Sequence, residues 1–291
     1  MQTEESNPST AELDSYSALE IVRAMNEEDA TVAEAVRGAL PQIARAVDAI
    51  VERMRGGGRL IYIGAGTSGR LGVLDAVECV PTFSVEPGLV IGLIAGGETA
   101  LTMAIEGAED QPAGGQRDLV AVHASAQDVV VGIAASGRTP YVLGALAHGN
   151  AIGALTVAIA CNNPAPVLDE AQIAIPVVVG PEVLAGSTRL KAGTAQKMVL
   201  NMLSTAAMVR LGKVYGNLMV DVKVTNQKLA ERAQRIVGRV AGVDQAEATR
   251  LLAQTQYEVK PAIVMAARGV SAEEARDLLR AANGMLRDVI G

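Results

Sequence analysis

Three short segments of this chain bring glycine, hydroxyl side chains and a cation together in a pattern that suits an anion. The first, Gly64-Ala65-Gly66-Thr67-Ser68-Gly69-Arg70, matches G-x-G-x-x-G and stands between an apolar run and a helix-like stretch. Such a turn presents backbone N–H groups at a helix N-terminus, where the helix dipole favours negative charge. Two ligands fit it. A dinucleotide would call for an acidic residue about 20 residues further on, at the end of the next strand. Glu86 has that distance but precedes the next apolar run, whereas Glu98 follows it late. A single phosphate needs only Gly66, Thr67 and Ser68 with the loop amides. The second segment, Ala135-Ser136-Gly137-Arg138-Thr139-Pro140, repeats the combination and favours the single phosphate, because two such loops can converge on one phosphosugar. The third runs from Ala185 to Lys197 and sets Ser187, Thr188, Arg189 and Lys191 at the start of a long Met-rich stretch. Tight turns with ordinary helix N-caps would carry the same residues without binding anything.

Carboxylates supply the second kind of chemistry. Glu106 and Glu109, three apart, would share one face of a helix, either as a solvated surface or as a working pair. Glu78 lies between Val77 and Cys79 and beside Pro81, read as the end of a helix. Partial burial there would raise its pKa toward that of a general acid. His123 and His148 have no metal-ligand spacing and read as surface or helix-end residues. Cys79 and Cys161 are far apart in apolar sequence, which suits a reducing compartment rather than a disulfide or metal site.

The elements that must position these groups follow from periodicity. Residues 10–55 have apolar positions at helical spacing, ending at Gly56-Gly57-Gly58. Five apolar runs of strand length come next: Arg59 to Gly64, Leu89 to Ala95, Asp128 to Ala134, Ala154 to Ala160 and Ile173 to Val179. Each is followed by a turn and a helical stretch, the pattern of a parallel sheet covered on both faces. Ala192 to Leu211 reads as a buried helix whose Met stripe is core. From Asn226 three amphipathic stretches are expected, separated at Gly242-Val243-Asp244 and Gly269-Val270-Ser271, with Asp244 as an N-cap and Ser271-Glu274 as a capping box.

Composition closes off other classes. The chain has 291 residues, 49% hydrophobic but only 2% aromatic, and a net charge of −7. Nucleic-acid binding is not expected without a basic face or stacking aromatics. The apolar runs break well before the ~20 residues of a membrane span, and the polar, acidic start has no secretory pattern, so no membrane is expected and the cytoplasm is.

Taken together, Leu60 to Gly72, Asp75-Ala76-Val77-Glu78-Cys79, Gly96-Gly97-Glu98, Glu106 to Asp110, Ala134 to Tyr141 and Ser187 to Lys197 resemble the N-acetylmuramic acid 6-phosphate etherases. The resemblance extends from about Glu4 into the tail; Val77 and Val80 stand where that family carries a small polar residue and a Pro. It implies an α/β fold: a three-layer αβα sugar isomerase (SIS) domain with a parallel sheet over 56–225. A helical segment over 1–55 precedes it, and a small C-terminal helical bundle, a UBA-like subdomain over 226–291, follows. It also implies a homodimer, a phosphosugar substrate, no metal or other cofactor, and a role in recycling cell-wall amino sugars. Glu78 and Glu109 match the two catalytic glutamates. Glu78 is the expected acid that protonates departing lactate, and Glu109 the expected base at C2. Gly66, Thr67, Ser68, Glu106, Ser136, Gly137, Arg138, Thr139, Ser187 and Lys191 are the expected substrate contacts. The same loops also serve phosphosugar isomerases and a sugar-phosphate sensor similar to the glucokinase regulatory protein, so both remain alternatives.

Overall fold

The computed structural model describes residues 1–222, 224 and 226–291; the domain boundary expected at Thr225 lies outside them. All five apolar runs become strands, one to three residues shorter than expected: β1 (Leu60–Gly64), β2 (Val90–Ile94), β3 (Val129–Ala134), β4 (Leu155–Ala160) and β5 (Ile173–Pro176). They pair in parallel in the order β2-β1-β3-β4-β5. Both faces of the sheet are covered, so β3 and β4 are buried along their whole length and read as unbroken apolar runs.

Among the described residues nine α-helices precede the tail: α1 (Ala18–Asp29), α2 (Val32–Gly38), α3 (Leu40–Arg55), α4 (Gly66–Phe83), α5 (Thr99–Thr102), α6 (Pro112–Ala121), α7 (Pro140–Ala151), α8 (Pro166–Glu170) and α9 (Lys191–Arg210). Alternation along the strands assigns them to layers. Ile61, Ile63 and Val130 join Leu119 of α6, Tyr141, Val142 and Leu146 of α7 and Val167 of α8 in one core. On the opposite face α4 lies so close that a Cβ on Gly72 would come within 3.0 Å of the Tyr62 Cβ. The three-layer αβα architecture is thus present.

Two compact units divide the chain. The first comprises Met1–Val77 and Gly88–Ser204, the second Glu78–Pro87 and Thr205–Gly291. The N-terminal helices therefore belong with the sheet, because α3 buries Ile43, Val47, Ile50 and Met54 and packs on β5. The polar start is also built in: Thr3 is fully buried, its amide donating to Asn162 Oδ1 and its hydroxyl accepting from Asn162 Nδ2.

The second unit holds a hairpin, β6 (Val214–Tyr215) and β7 (Leu218–Met219), and the helices α10 (Gln227–Ala241), α11 (Gln245–Gln254), α12 (Val259–Arg268), α13 (Ala272–Ala281) and α14 (Leu286–Ile290). Asp244 caps α11 and the Ser271-Glu274 capping box opens α13, as expected. The three stretches are nonetheless five helices. Left-handed residues at Gln256-Tyr257 and Asn283-Gly284 break the second and third without disturbing the apolar spacing that made them look continuous. Tertiary contacts hold the second break in place: Lys260 Nζ donates to the Gly284 carbonyl at 2.9 Å and pairs with Asp221 at 2.9 Å. Among the described residues no helix is long and apolar enough to cross a membrane.

Within the first unit α4 and α9 are joined by two buried polar rungs: Ser68 with Gln196, and Asp75 with Ser204, whose Oγ donates to Asp75 Oδ1 at 3.1 Å. Burial raises the Asp75 pKa above its ordinary value, and the hydrogen bonds from Tyr62 and Ser204 only partly oppose it. An acid whose folded-state pKa is raised favours the fold most below its unfolded pKa, and that contribution is lost as pH rises through the folded value. Asp75→Asn is therefore expected to lose less stability than the parent between acidic and neutral pH. Denaturant titrations across that range check this, and parallel pH curves for the two proteins would rule the explanation out.

Candidate active site

Gly64 to Gly69 makes one tight strand-to-helix turn. Gly66 has φ +53°, and a Cβ on Gly69 would fall 2.6 Å from the Gly64 carbonyl oxygen, so both positions require glycine. α4 starts directly at Gly66, which leaves its first N–H groups at the C-terminal end of β1. The loop after β3 behaves likewise. Gly137 has φ +71°, with Ala165 where its Cβ would stand, the Ser136 Oγ accepts from the Arg138 amide at 3.2 Å, and α7 begins at Pro140 with no side chain capping it.

β1 and β3 are adjacent, and the connections leaving them run in opposite directions across the sheet. In open parallel sheets that reversal opens a crevice beyond the strand ends where ligands bind. A cavity of about 400 Å³ lies at this place, lined by Gly66, Thr67, Ser68, Ser136, Arg138 and Thr139 from the two loops, together with Glu109, Asp110, Glu4 and Thr188. Its size is within the ~300–1,000 Å³ of small-molecule sites. Five hydroxyls, two helix N-termini and one guanidinium suit a phosphate; the carboxylates suit proton transfer. A smaller compartment of about 190 Å³ adjoins it, sharing Ala65, Gly66 and Glu109 and adding Arg70 and Glu106. A larger cleft of about 690 Å³ lies on the C-terminal unit, but Arg268 there donates to the Val289 carbonyl and few polar groups converge.

Several expected contacts sit differently from the sequence reading. Glu106 and Glu109 do not share a helical face, since α5 is a single turn and residues 103–111 form a loop with Gly107 at φ +71°. That loop is held at both ends. Arg70 donates to the carbonyls of Leu101 and Met103, at 3.1 Å and 3.3 Å, and the Glu109 carbonyl accepts from the Tyr141 amide at 3.0 Å. Glu109 thus stands at the junction of the two compartments.

Glu78 is exposed on α4 rather than partly buried, and the helix runs two residues past Pro81 to Phe83. Glu78 is not among the cavity-lining residues; neither are Gly137, which shapes its loop, and Ser187, whose place is taken by Thr188. Lys191 is also absent from the lining: it is 3% exposed, and its Nζ pairs with Glu28 Oε2 at 2.5 Å. The start of α9 is closed to an outside anion by the fully buried Glu182, whose two carboxylate oxygens accept from the Lys191 and Ala192 amides at 2.8 Å and 3.0 Å. Asp110 and Thr188 lie in segments the sequence singles out but are not themselves among the expected contacts, whereas Glu4 carries no local signal and reaches the cavity beside the buried Thr3.

A family model described as the N-terminal SIS domain of glucokinase regulatory protein matches residues 42–150, and one for the SIS domain matches 108–206. A third, the C-terminal lid domain of glucokinase regulatory protein, matches 216–262. In fold the chain is similar to a phosphoheptose isomerase from Francisella tularensis, with a TM-score of 0.53 at 16% identity over 67% of this chain and 100% of that one. Strand order and loop placement thus define a protein built on a SIS-type α/β domain. The chain is also 60% identical, over 98% of its length and 97% of theirs, to N-acetylmuramic acid 6-phosphate etherases of Yersinia pestis strain Pestoides F and Yersinia pseudotuberculosis serotype O:1b. It belongs to the N-acetylmuramic acid 6-phosphate etherase family.

Proposed function

We propose that this protein cleaves the D-lactyl ether of N-acetylmuramate 6-phosphate, giving N-acetylglucosamine 6-phosphate and D-lactate, in cytoplasmic recycling of cell-wall amino sugars. One observation carries the reading: in a member of this family, the cavity at the β1/β3 reversal joins both hydroxyl-rich loops to Glu109. The phosphate is held by Thr67, Ser68, Ser136 and Thr139 with the N-termini of α4 and α7 and Arg138. In the ring-opened sugar the C1 aldehyde acidifies the C2 proton. Glu109 removes that proton, the C3–O bond breaks as C2=C3 forms, and Glu78 protonates the lactate oxygen as it leaves. Water activated by Glu78 then adds at C3 while a proton returns to C2, so the sequence needs no redox step.

Glu78 belongs to this reaction through a second copy of the chain. On α4 it shares an exposed stripe with Leu74, Val77 and Pro81, at spacings of three and four; Leu74 and Val77 are 53% and 60% exposed. An apolar helix stripe of this kind suits a twofold interface, and a homodimer would carry each Glu78 to the partner's cavity.

Incubation with N-acetylmuramate 6-phosphate in deuterated water tests the chemistry. Lactate release with deuterium at C2 of the product is expected. Exchange without lactate would replace the proposal with an isomerase, and binding without either signal would replace it with a sensor.

A further inference from the structure

We propose that the smaller compartment beside the anion cavity takes the acetamido group of the substrate, with Glu106 accepting from its N–H and Arg70 donating to its carbonyl oxygen. The proposal rests on the reading of the main cavity as a phosphosugar site. The compartment measures about 190 Å³. That is below the ~300 Å³ at which sites for whole small molecules begin, so it suits one substituent. Ala95, Ala100, Ala104 and Ala108 line it with methyl groups, and Arg70 and Glu106 add a donor and an acceptor. The two charged side chains do not pair. Arg70 Nε and Nη2 donate to the carbonyls of Leu101 and Met103, and among the described residues the Glu106 carboxylate has neither a hydrogen bond nor an ion pair. A guanidinium and a carboxylate that line one small space without meeting leave room for a group offering both an acceptor and a donor. An amide does so, and its methyl matches the alanines.

Position selects among the substituents of the sugar. Glu109 lines both compartments, so in the proposed reaction C2 lies at their junction. The acetamido group is carried by C2 itself. The lactyl ether is on C3, where Glu78 acts, and its carboxylate would meet two glutamates against a single guanidinium in the smaller compartment. A neutral amide meets no such repulsion. Seating it also serves the chemistry: the acetamido group and the proton that Glu109 removes share C2, so holding one limits where the other points. The lining is built to hold its shape, since Ala95 and Ala100 are only 5% and 4% exposed and Arg70 ties down the Met103 carbonyl just before Ala104.

Calorimetric binding of N-acetylglucosamine 6-phosphate, of 2-deoxyglucose 6-phosphate, which has only hydrogen at C2, and of unphosphorylated N-acetylglucosamine tests this in wild type, Glu106→Ala and Ala104→Leu. Wild type is expected to prefer the acetamido phosphosugar to the deoxy one by at least about tenfold, the scale of one hydrogen bond to a charged group. Glu106→Ala removes the acceptor and Ala104→Leu fills the space. Each is expected to raise the Kd of N-acetylglucosamine 6-phosphate about tenfold and to leave that of 2-deoxyglucose 6-phosphate unchanged, which also shows that the variant is folded. Both positions are exposed on the 103–111 loop, so the substitutions disturb little else. No preference in wild type, or a preference that survives in either variant, overturns the proposal. A wild type that binds plain N-acetylglucosamine as tightly as its 6-phosphate, or that binds neither phosphorylated sugar, overturns the phosphosugar reading instead.

Discussion

Glu109→Gln and Glu78→Gln are each expected to lower kcat for lactate release by about 10²–10⁴-fold, the usual contribution of a positioned acid or base, while N-acetylglucosamine 6-phosphate still binds. Glutamine keeps the shape and polarity of each side chain and removes only its capacity to take up or give a proton. In the proposed mechanism the phosphate is held by other groups, the two loops that line the cavity and the helix N-termini beside them. The two lesions also differ in address. Glu109 lines the cavity of its own chain, whereas Glu78 is exposed on α4. Co-expressing the two variants therefore has an unusual expected outcome. In a mixed dimer with Glu78 acting across the interface, one site carries both substitutions and the other carries neither. Half the dimers are mixed and half of their sites intact, so about a quarter of wild-type activity should return. If Glu78 served its own chain every site would keep one lesion, and no activity would return. Retained turnover in either single variant would remove that glutamate from the mechanism.

Lys191→Met is expected to destabilise the first unit by about 3 kcal/mol, near the low end for breaking a buried ion pair because Glu28 is 21% exposed. The ammonium is buried against Glu28, which also accepts from the Ser9 hydroxyl at 3.1 Å. Burial pushes the Glu28 pKa up, but hydrogen bonds from Lys191, Asn7 and Ser9 outweigh it and hold the carboxyl below its ordinary value. The contribution is thus present above the ordinary carboxylate range and fades as pH falls through the lowered value. Removing the lysine leaves a half-buried carboxylate without its cation, whereas replacing both partners with apolar residues should cost much less. Chemical denaturation at neutral pH measures the loss, and the affinity of the folded fraction for N-acetylglucosamine 6-phosphate should be unchanged. Unaltered stability with weakened sugar binding would instead make Lys191 a ligand contact.

Much of this molecule was legible along the chain, for a local reason. The strand runs, the glycines of the two loops, the cap at Asp244 and the Ser271-Glu274 box each depend on residues a few positions apart, and each stands where the spacing put it. Glu106 and Glu109 misled because a three-residue spacing fits a helix face equally well whether or not a helix forms. Gly107 in a left-handed conformation and the carbonyls tied to Arg70 made that segment a loop. Pro81 misled in the other direction, since α4 continues beyond it.

The chemical class of the site, two hydroxyl-and-glycine loops beside carboxylates, was therefore contained in the amino-acid order. Which groups share the cavity was not, because burial and hydrogen-bond partners are set by residues distant in sequence. Ser68 meets Gln196 across 128 positions and Lys191 meets Glu28 across 163. Glu4 reaches the cavity next to Thr3, which pairs with Asn162, 159 residues away. A lysine beside hydroxyls at a helix start looks the same in sequence whether it faces a phosphate or a buried glutamate. Only folding, which brings Glu28 to Lys191 and Glu182 to the first amides of α9, separates the two.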